Sequence, residues 1–125
     1  MLFAFSVAPT STADDSASMS AAVAEAVRVV RDSGLPHETT SMFTTIEGEW
    51  DEVMPVIRAA TDAVLAVAPR VSLVLKADLR PGREGELRGK VDRVEKRLAG
   101  RGESRDHARD DDRGHARDDD EDLAR

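Results

Sequence analysis

The sequence predicts an α+β fold, with four antiparallel strands in one sheet and two long helices on one face of that sheet. Short segments with alternating apolar side chains indicate strands, and two longer segments with apolar side chains at three- and four-residue spacing indicate helices. They follow one another as strand, helix, strand, strand, helix, strand, which is the split βαβ arrangement. The other face of the sheet is left open, and in a small domain we expect another copy of the chain to cover it.

The first predicted elements are a strand over residues 2–8 and a helix that begins near Ser18. Gly34 stands where the residue after a helix end is expected. The apolar residues at helical spacing between these points are Met19, Val23, Ala26, Val27 and Val30.

Two short Thr-rich segments, His37–Met42 and Phe43–Glu49, have no helical period and are predicted to pair as strands. A second helix is expected from about Trp50 to Val67. Pro55 cannot donate a backbone hydrogen bond, so this helix could begin later than its apolar pattern suggests.

The fourth strand is predicted at Arg70–Leu79, where large residues alternate again. Its two faces carry Val71, Leu73 and Leu75 on one side and Ser72, Val74 and Lys76 on the other. After a Pro- and Gly-rich break, a short C-terminal helix is indicated by Leu87, Val91, Val94 and Leu98.

The composition changes near Gly100, so we expect a folded domain over residues 1–100 and a disordered acidic Arg/Asp-rich tail over residues 101–125. The tail holds ten acidic and six basic residues and repeats an eight-residue unit. Its His107 and His115 lie near aspartates that could bind a metal, but a flexible solvated tail is the preferred interpretation and no metal site is predicted.

Composition excludes several classes of protein. The chain has no cysteine, which removes disulfides, thiolate zinc sites and cysteine nucleophiles and fits a cytoplasmic location. A formal net charge of -7 without a basic stripe argues against nucleic-acid binding. No apolar run is long enough to cross a membrane, and the sequence contains no phosphate-binding glycine loop or hydrolase motif. These observations favour a protein that is not an enzyme.

One long run of residues resembles a known family. It extends from Glu38 to Val53 and reads ETTSMFTTIEGEWDEV. Supporting segments are Phe5–Pro9, Ser33–Leu35, Pro69–Ser72, Lys76 and Lys90–Lys96. Over residues 2–98 the chain therefore resembles the thiamine-binding protein family (DUF77 or UPF0045, MTH1187/YkoF-like).

The resemblance implies a ferredoxin-like fold, dimers assembled into a homotetramer, no catalysis, no cofactor, and binding of thiamine or its hydroxymethylpyrimidine portion in sheet-lined pockets between subunits. Phe43 stands where members of the family usually carry a glycine, and Ala77–Arg80 where they carry paired aspartates. The Phe43 ring could fill the pocket or stack on an aromatic ligand.

An aminopyrimidine has an amine donor and ring-nitrogen acceptors on a flat apolar body, so it needs polar partners and an apolar floor. Glu47 could accept from the amine, and Lys76 could meet a phosphate or carboxylate. The expected ligand-binding residues are Ser6, Met42, Phe43, Thr44, Thr45, Glu47, Ser72 and Lys76.

These residues also have simpler interpretations. Thr44 and Thr45 point to opposite faces of a strand, so only one of them can line the open side. Glu47 could serve the N-terminus of the following helix, and Lys76 could protect an edge strand. Trp50 is expected to be a core residue rather than a ligand platform.

The sequence thus favours a ligand-binding module that holds a thiamine-type molecule without changing it. The alternative is a structural or regulatory oligomeric protein whose pocket is closed. A third hypothesis is a small acid–base enzyme that uses Glu47, since Glu47 and Glu49 would share one face of a strand.

Overall fold

The computed structural model describes residues 1–10 and 16–111 of the chain. The elements, numbered in chain order, are β1 (Leu2–Pro9), α1 (Ser16–Asp32), β2 (His37–Thr39), β3 (Thr44–Glu47), α2 (Trp50–Leu65), β4 (Val71–Asp78) and α3 (Glu86–Asp111). The described part of the chain divides after Lys90 into two compact units, the first of which is Met1–Lys90. Among the helices of the described ranges, none is long and apolar enough to cross a membrane.

The strands form one antiparallel sheet in the order β2-β3-β1-β4. The central strand β1 pairs with β3 along its first half and with β4 along its whole length. This is the strand order of the split βαβ arrangement. The predicted α+β, ferredoxin-like fold is therefore confirmed.

The core lies between the sheet and the helices α1 and α2. Phe3, Phe5 and Val7 of β1 are buried on the helix side, as their alternation predicts. The Phe3 ring meets the Trp50 ring edge-on, with 5.0 Å between the ring centroids. Trp50 is thus a core contact on one side, although its other side is exposed. The helices contribute Ala22, Ala26, Val30, Val53, Ile57, Ala60 and Val64.

The edge strand β4 is less covered than the central strand β1. Leu73 and Leu75 lie opposite Val7 and Phe5, on the helix side of the sheet, yet they are 43% and 37% exposed. Val74 on the other face is 52% exposed. The helices bury the side chains of β1 and β3 and leave those of β4 accessible. Both faces of β4 therefore present apolar side chains.

The helix ends follow local capping interactions. α2 begins at Trp50 although Pro55 lies inside it, so the expectation of a later start is wrong. The reason is that the Glu52 carboxylate accepts a hydrogen bond from the backbone N–H of Glu49 at 3.2 Å and fixes the first turn. Gly34 follows α1 with a φ of 70°, the left-handed conformation predicted for this position.

The last helix is longer than predicted. α3 runs from Glu86 to Asp111, where a short helix ending near Leu98 was expected. Arg and Ala, which are good helix formers, recur beyond Leu98 and allow the helix to continue. The rest of the predicted tail, including His115, lies outside the described residues. The domain boundary at Gly100 stays a prediction.

Gly48 lies at the tight connection between β3 and α2. A Cβ atom added there would stand 2.9 Å from Cγ2 of Val53, which is fully buried. We expect Gly48→Ala to lower the free energy of unfolding by about 1–3 kcal/mol, because the β-branched Val53 has little room to move. Urea denaturation measures the change. Gly100→Ala is the matched control, since a Cβ there meets no atom within 4 Å; equal losses in the two variants would refute the packing argument.

Candidate functional site

The face of the sheet away from α1 and α2 carries most of the polar residues that the sequence singled out, and we call it the open face. The strand register assigns residues to it, because alternate residues of a strand point to opposite sides. Thr45 lies opposite Ala4 on this face, whereas Thr44 lies opposite the buried Phe5, so the prediction that they point to opposite faces is confirmed. The open face comprises Leu2, Ala4, Ser6, Ala8, Glu38, Thr45, Glu47, Ser72, Val74, Lys76 and Asp78.

Glu47 holds the start of α3. Its Oε1 accepts from the backbone N–H of Glu86 at 3.1 Å and its Oε2 from that of Leu87 at 3.0 Å, and the residue is only 7% exposed. Gly85, whose C=O accepts from the N–H of Gly89 at 2.9 Å, is the N-cap of α3 and has no side chain to bind these groups. Glu47 supplies the cap instead. The expectation that Glu47 could serve the following helix was therefore wrong about the helix, which is α3 and not α2.

Asp78 fixes the same helix from the other side of β1. Asp78 and Glu47 both lie opposite Leu2 in the register. The Asp78 carboxylate forms a hydrogen-bonded ion pair with the Lys90 ammonium. That hydrogen bond, together with the Coulombic attraction of Lys90, holds the pKa of the Asp78 carboxyl below its ordinary value of 3.8. Two carboxylates at this end of the open face are thus bound to the first turns of α3.

The lowered pKa of Asp78 makes this contact dependent on pH. The folded-state pKa lies below 3.8, so the ion pair stabilises the fold above that pH and is lost as the pH falls through the lowered value. We expect Lys90→Met to return the Asp78 pKa toward 3.8 in an NMR titration of the carboxyl carbon. Lys76→Met, which removes another lysine near Asp78 on the open face, should leave the pKa unchanged. An unchanged Asp78 pKa in Lys90→Met would refute the assignment.

Lys76 lies further along the open face, opposite Ala4, which has Thr45 on its other side. Within the part of the chain that the structure describes, its ammonium makes no hydrogen bond or ion pair. It is exposed on the edge strand, so its position suits both a contact with an anionic ligand group and protection of the edge. Ser72 is exposed on the same strand, opposite Ala8.

A cavity of about 220 Å³ lies where β1 continues beyond its pairing with Thr44, the first residue of β3. The turn between β2 and β3 forms one wall and α1 another, through Val23 and Val27. The predicted residues that line it are Ser6, Met42, Phe43 and Thr44. The other predicted residues, Thr45, Glu47, Ser72 and Lys76, do not line it.

The residues of this cavity are held by the β2–β3 turn. The backbone N–H and the hydroxyl of Thr40 both donate to the C=O of Phe43, at 2.8 and 3.0 Å. The Thr44 hydroxyl lies 3.3 Å from that of Thr39, and Thr44 is buried. Phe43 is half-buried, whereas Met42 is 72% exposed. The cavity is therefore lined by an aromatic ring, an exposed thioether and hydroxyl groups.

The family model described as thiamine-binding protein matches residues 3–95, which include all four strands except Leu2, the first residue of β1. The chain belongs to the thiamine-binding protein family. A UPF0045 protein of Mycobacterium bovis is 50% identical over 99 residues, which is 78% of this chain and 94% of that protein.

Solved structures agree with this family assignment. A DUF77 domain of Bacillus cereus superimposes with a TM-score of 0.64 at 31% identity, over 72% of this chain and 85% of that one. The protein MJ1052 of Methanocaldococcus jannaschii superimposes with a TM-score of 0.65 at 28% identity, over 74% and 93%. Both the sequence and the fold of the chain thus agree with the thiamine-binding protein family.

This member of the thiamine-binding protein family has a second cleft that the sequence did not reveal. It measures about 460 Å³ and lies at the start of α2 and α3. Of the predicted residues, only Glu47 lines it, and both carboxylate oxygens of Glu47 are bound to α3. The lining residues are Leu35, Pro36, Glu47, Gly48, Glu52, Glu84, Gly85, Leu87 and Arg88.

The geometry expected for acid–base chemistry is not found. β3 ends at Glu47, and Glu49 is the N-cap of α2, so the two carboxylates do not share a face of a strand as expected. The Glu47 carboxylate is engaged as a helix cap. The family itself is named for binding.

Proposed function

We propose that the protein binds thiamine or its hydroxymethylpyrimidine portion without changing it chemically, in the cavity of about 220 Å³ between α1, the second half of β1 and the β2–β3 turn. The observation that carries the proposal is that the thiamine-binding family model spans the residues that build this cavity. The lining agrees with the chemistry of the ligand. Phe43 and Met42 offer apolar surface to a flat ring, and Ser6 offers a hydroxyl.

The complete thiamine molecule requires more space than this cavity offers. Pockets for drug-sized ligands begin at about 300 Å³. The pyrimidine ring would occupy the cavity, and the thiazolium part would extend past Ser6, which lines the cavity and lies on the open face, toward Thr45, Ser72 and Lys76. A second copy of the chain would close the pocket over it.

Association is supported by β4. It is an edge strand, and its Leu73, Val74 and Leu75 are exposed on both faces of the sheet. Pairing of β4 with another copy would bury these side chains and satisfy the free edge. A homodimer or homotetramer follows, and sedimentation equilibrium tests it; a monomer at micromolar concentration would refute this part of the proposal. The cytoplasmic location expected from the sequence stays a prediction.

Titration calorimetry of the full chain with thiamine, with hydroxymethylpyrimidine and with the thiazole portion alone tests the proposed binding. The first two ligands should bind saturably and the thiazole should not. Ser6→Ala should weaken binding about threefold to tenfold, because a neutral hydrogen bond contributes about 0.5–1.5 kcal/mol. Ser72→Ala removes the same group outside the cavity and should affect thiamine only.

Absence of heat with both pyrimidine ligands would contradict the proposed function. Binding of the thiazole portion alone would contradict the location of the ring in the cavity. Any chemical change in the recovered ligand, followed by chromatography, would contradict the view that the protein only binds it.

A further inference from the structure

The direction of main-chain groups along β1 follows from its neighbours. In an antiparallel sheet the N–H and C=O of successive residues point alternately to the two flanking strands. At one end of β1, the C=O of Met1 accepts from the N–H of Gly48 beside β3 at 3.1 Å, and at the other the N–H of Thr10 donates to the C=O of Arg70 beside β4 at 3.0 Å. Odd-numbered residues of β1 therefore direct their main-chain groups toward β3, and even-numbered residues toward β4.

This alternation singles out Val7. The pairing of β1 with β3 ends at Phe5 and Thr44, while β1 continues beside β4 as far as Pro9. The N–H and C=O of Val7 thus point to the side from which β3 is missing. Along residues 1–10 and 16–111, no backbone group outside the regular ladder bonds to them. Val7 also lines the cavity of about 220 Å³, so this unpaired donor and acceptor face a space large enough for a small ring.

A strand edge of this kind is complementary to one edge of an aminopyrimidine. The exocyclic amine is a donor, and the ring nitrogen beside it is an acceptor. Side by side, these two groups match the C=O and N–H that one residue of a strand presents to its neighbour. The apolar body of the ring would then lie between Phe43 and the side chains of α1.

We infer that the main-chain N–H and C=O of Val7 recognise the amine and adjacent ring nitrogen of an aminopyrimidine, in place of the missing continuation of β3. The inference rests on the proposed function and adds the group that selects the ligand. It assigns selectivity to the backbone of β1 and not to the Glu47 carboxylate, both of whose oxygens are bound to α3. Ligands with the same donor–acceptor pair should be accepted whatever is attached to the far side of the ring.

The test compares hydroxymethylpyrimidine with its oxo analogue, in which a C=O replaces the amine and the adjacent ring nitrogen carries a proton. The analogue has nearly the same shape but reverses donor and acceptor. The N–H of Val7 would then face a ring N–H, and the C=O of Val7 would face the C=O of the analogue. We expect calorimetry of the full chain to show binding of the analogue weakened at least tenfold. Hydrogen exchange followed by NMR should show the Val7 amide slowed by hydroxymethylpyrimidine at least tenfold.

The Leu73 amide is the internal control. Leu73 lies opposite Val7 in the register, and by the same alternation its main-chain groups point to the outer edge of β4, away from the cavity. Its exchange should not change when ligand is added. Equal affinity for the two pyrimidines, or an unchanged exchange rate of the Val7 amide in the bound protein, would overturn the inference. Neither result would contradict the proposed function. Failure of both pyrimidines and of thiamine to bind would overturn both.

Discussion

Replacement of Glu47 by alanine should lower the free energy of unfolding by about 2–4 kcal/mol. The substitution removes both acceptors of the Glu86 and Leu87 N–H groups in a nearly buried place. The N-cap residue, Gly85, cannot replace them, because it has no side chain. Hydrogen bonds to a charged group contribute more to stability than hydrogen bonds between neutral groups. A buried donor without an acceptor also lowers the free energy of unfolding. Urea denaturation followed by circular dichroism measures the loss.

Two further variants test the cause of this loss. Glu47→Gln keeps one acceptor oxygen, so its free energy of unfolding should lie between those of the wild type and Glu47→Ala. Glu38→Ala removes an exposed carboxylate on β2 and should change stability by less than about 0.5 kcal/mol. A Glu47→Ala protein as stable as the Glu38→Ala protein would show that the cap contributes nothing.

Replacement of Phe3 by alanine should have the largest effect on stability. It should lower the free energy of unfolding by about 3–5 kcal/mol. Phe3 is fully buried at the centre of the sheet and contacts the Trp50 ring edge-on. Truncation removes this contact and leaves a cavity that the stiff neighbouring residues cannot fill. Thermal unfolding monitored by Trp50 fluorescence reports both stability and the lost ring contact.

An exposed apolar residue provides the comparison for Phe3. Val67 follows α2 and is mostly exposed, so Val67→Ala should change stability by less than about 0.5 kcal/mol. If Phe3→Ala lowered the free energy of unfolding no more than Val67→Ala does, the assignment of Phe3 to the core would be wrong.

The sheet could be predicted from sequence because its signals are local. Alternation in β1 identified the helix-facing side chains Phe3 and Phe5 before any contact was known. The same period assigned Ser72 and Lys76 of β4 to one face, which the register confirms. These patterns needed no information from distant parts of the chain.

The role of Glu47 could not be predicted because its partners lie 39 and 40 residues further along the chain. A signal was present nevertheless. Gly85 directly precedes α3, and a helix whose N-cap lacks a side chain requires an acceptor from elsewhere. Sequence alone does not say which carboxylate supplies it.

The exposure of the β4 side chains and the ligand cavity could not be predicted from the sequence for another physical reason. Alternation states which side chains share a face, but not how far the helices extend over that face, so it does not give the exposure of Leu73 and Leu75. The cavity depends on the late start of β3 at Thr44, which leaves the second half of β1 without a neighbour on that side. Strand ends are set by the turn between β2 and β3 and carry no strong pattern.

The most direct test of the account is a titration of the isotope-labelled full chain with hydroxymethylpyrimidine, followed by amide proton–nitrogen correlation spectra. We predict saturable shifts that concentrate on Ser6, Val7, Met42, Phe43 and Thr44, around the cavity between α1 and the second half of β1. Shifts concentrated instead on Gly48, Glu84 and Arg88 would place the ligand in the second cleft and contradict the account. No shift at saturating concentration would contradict the binding function itself.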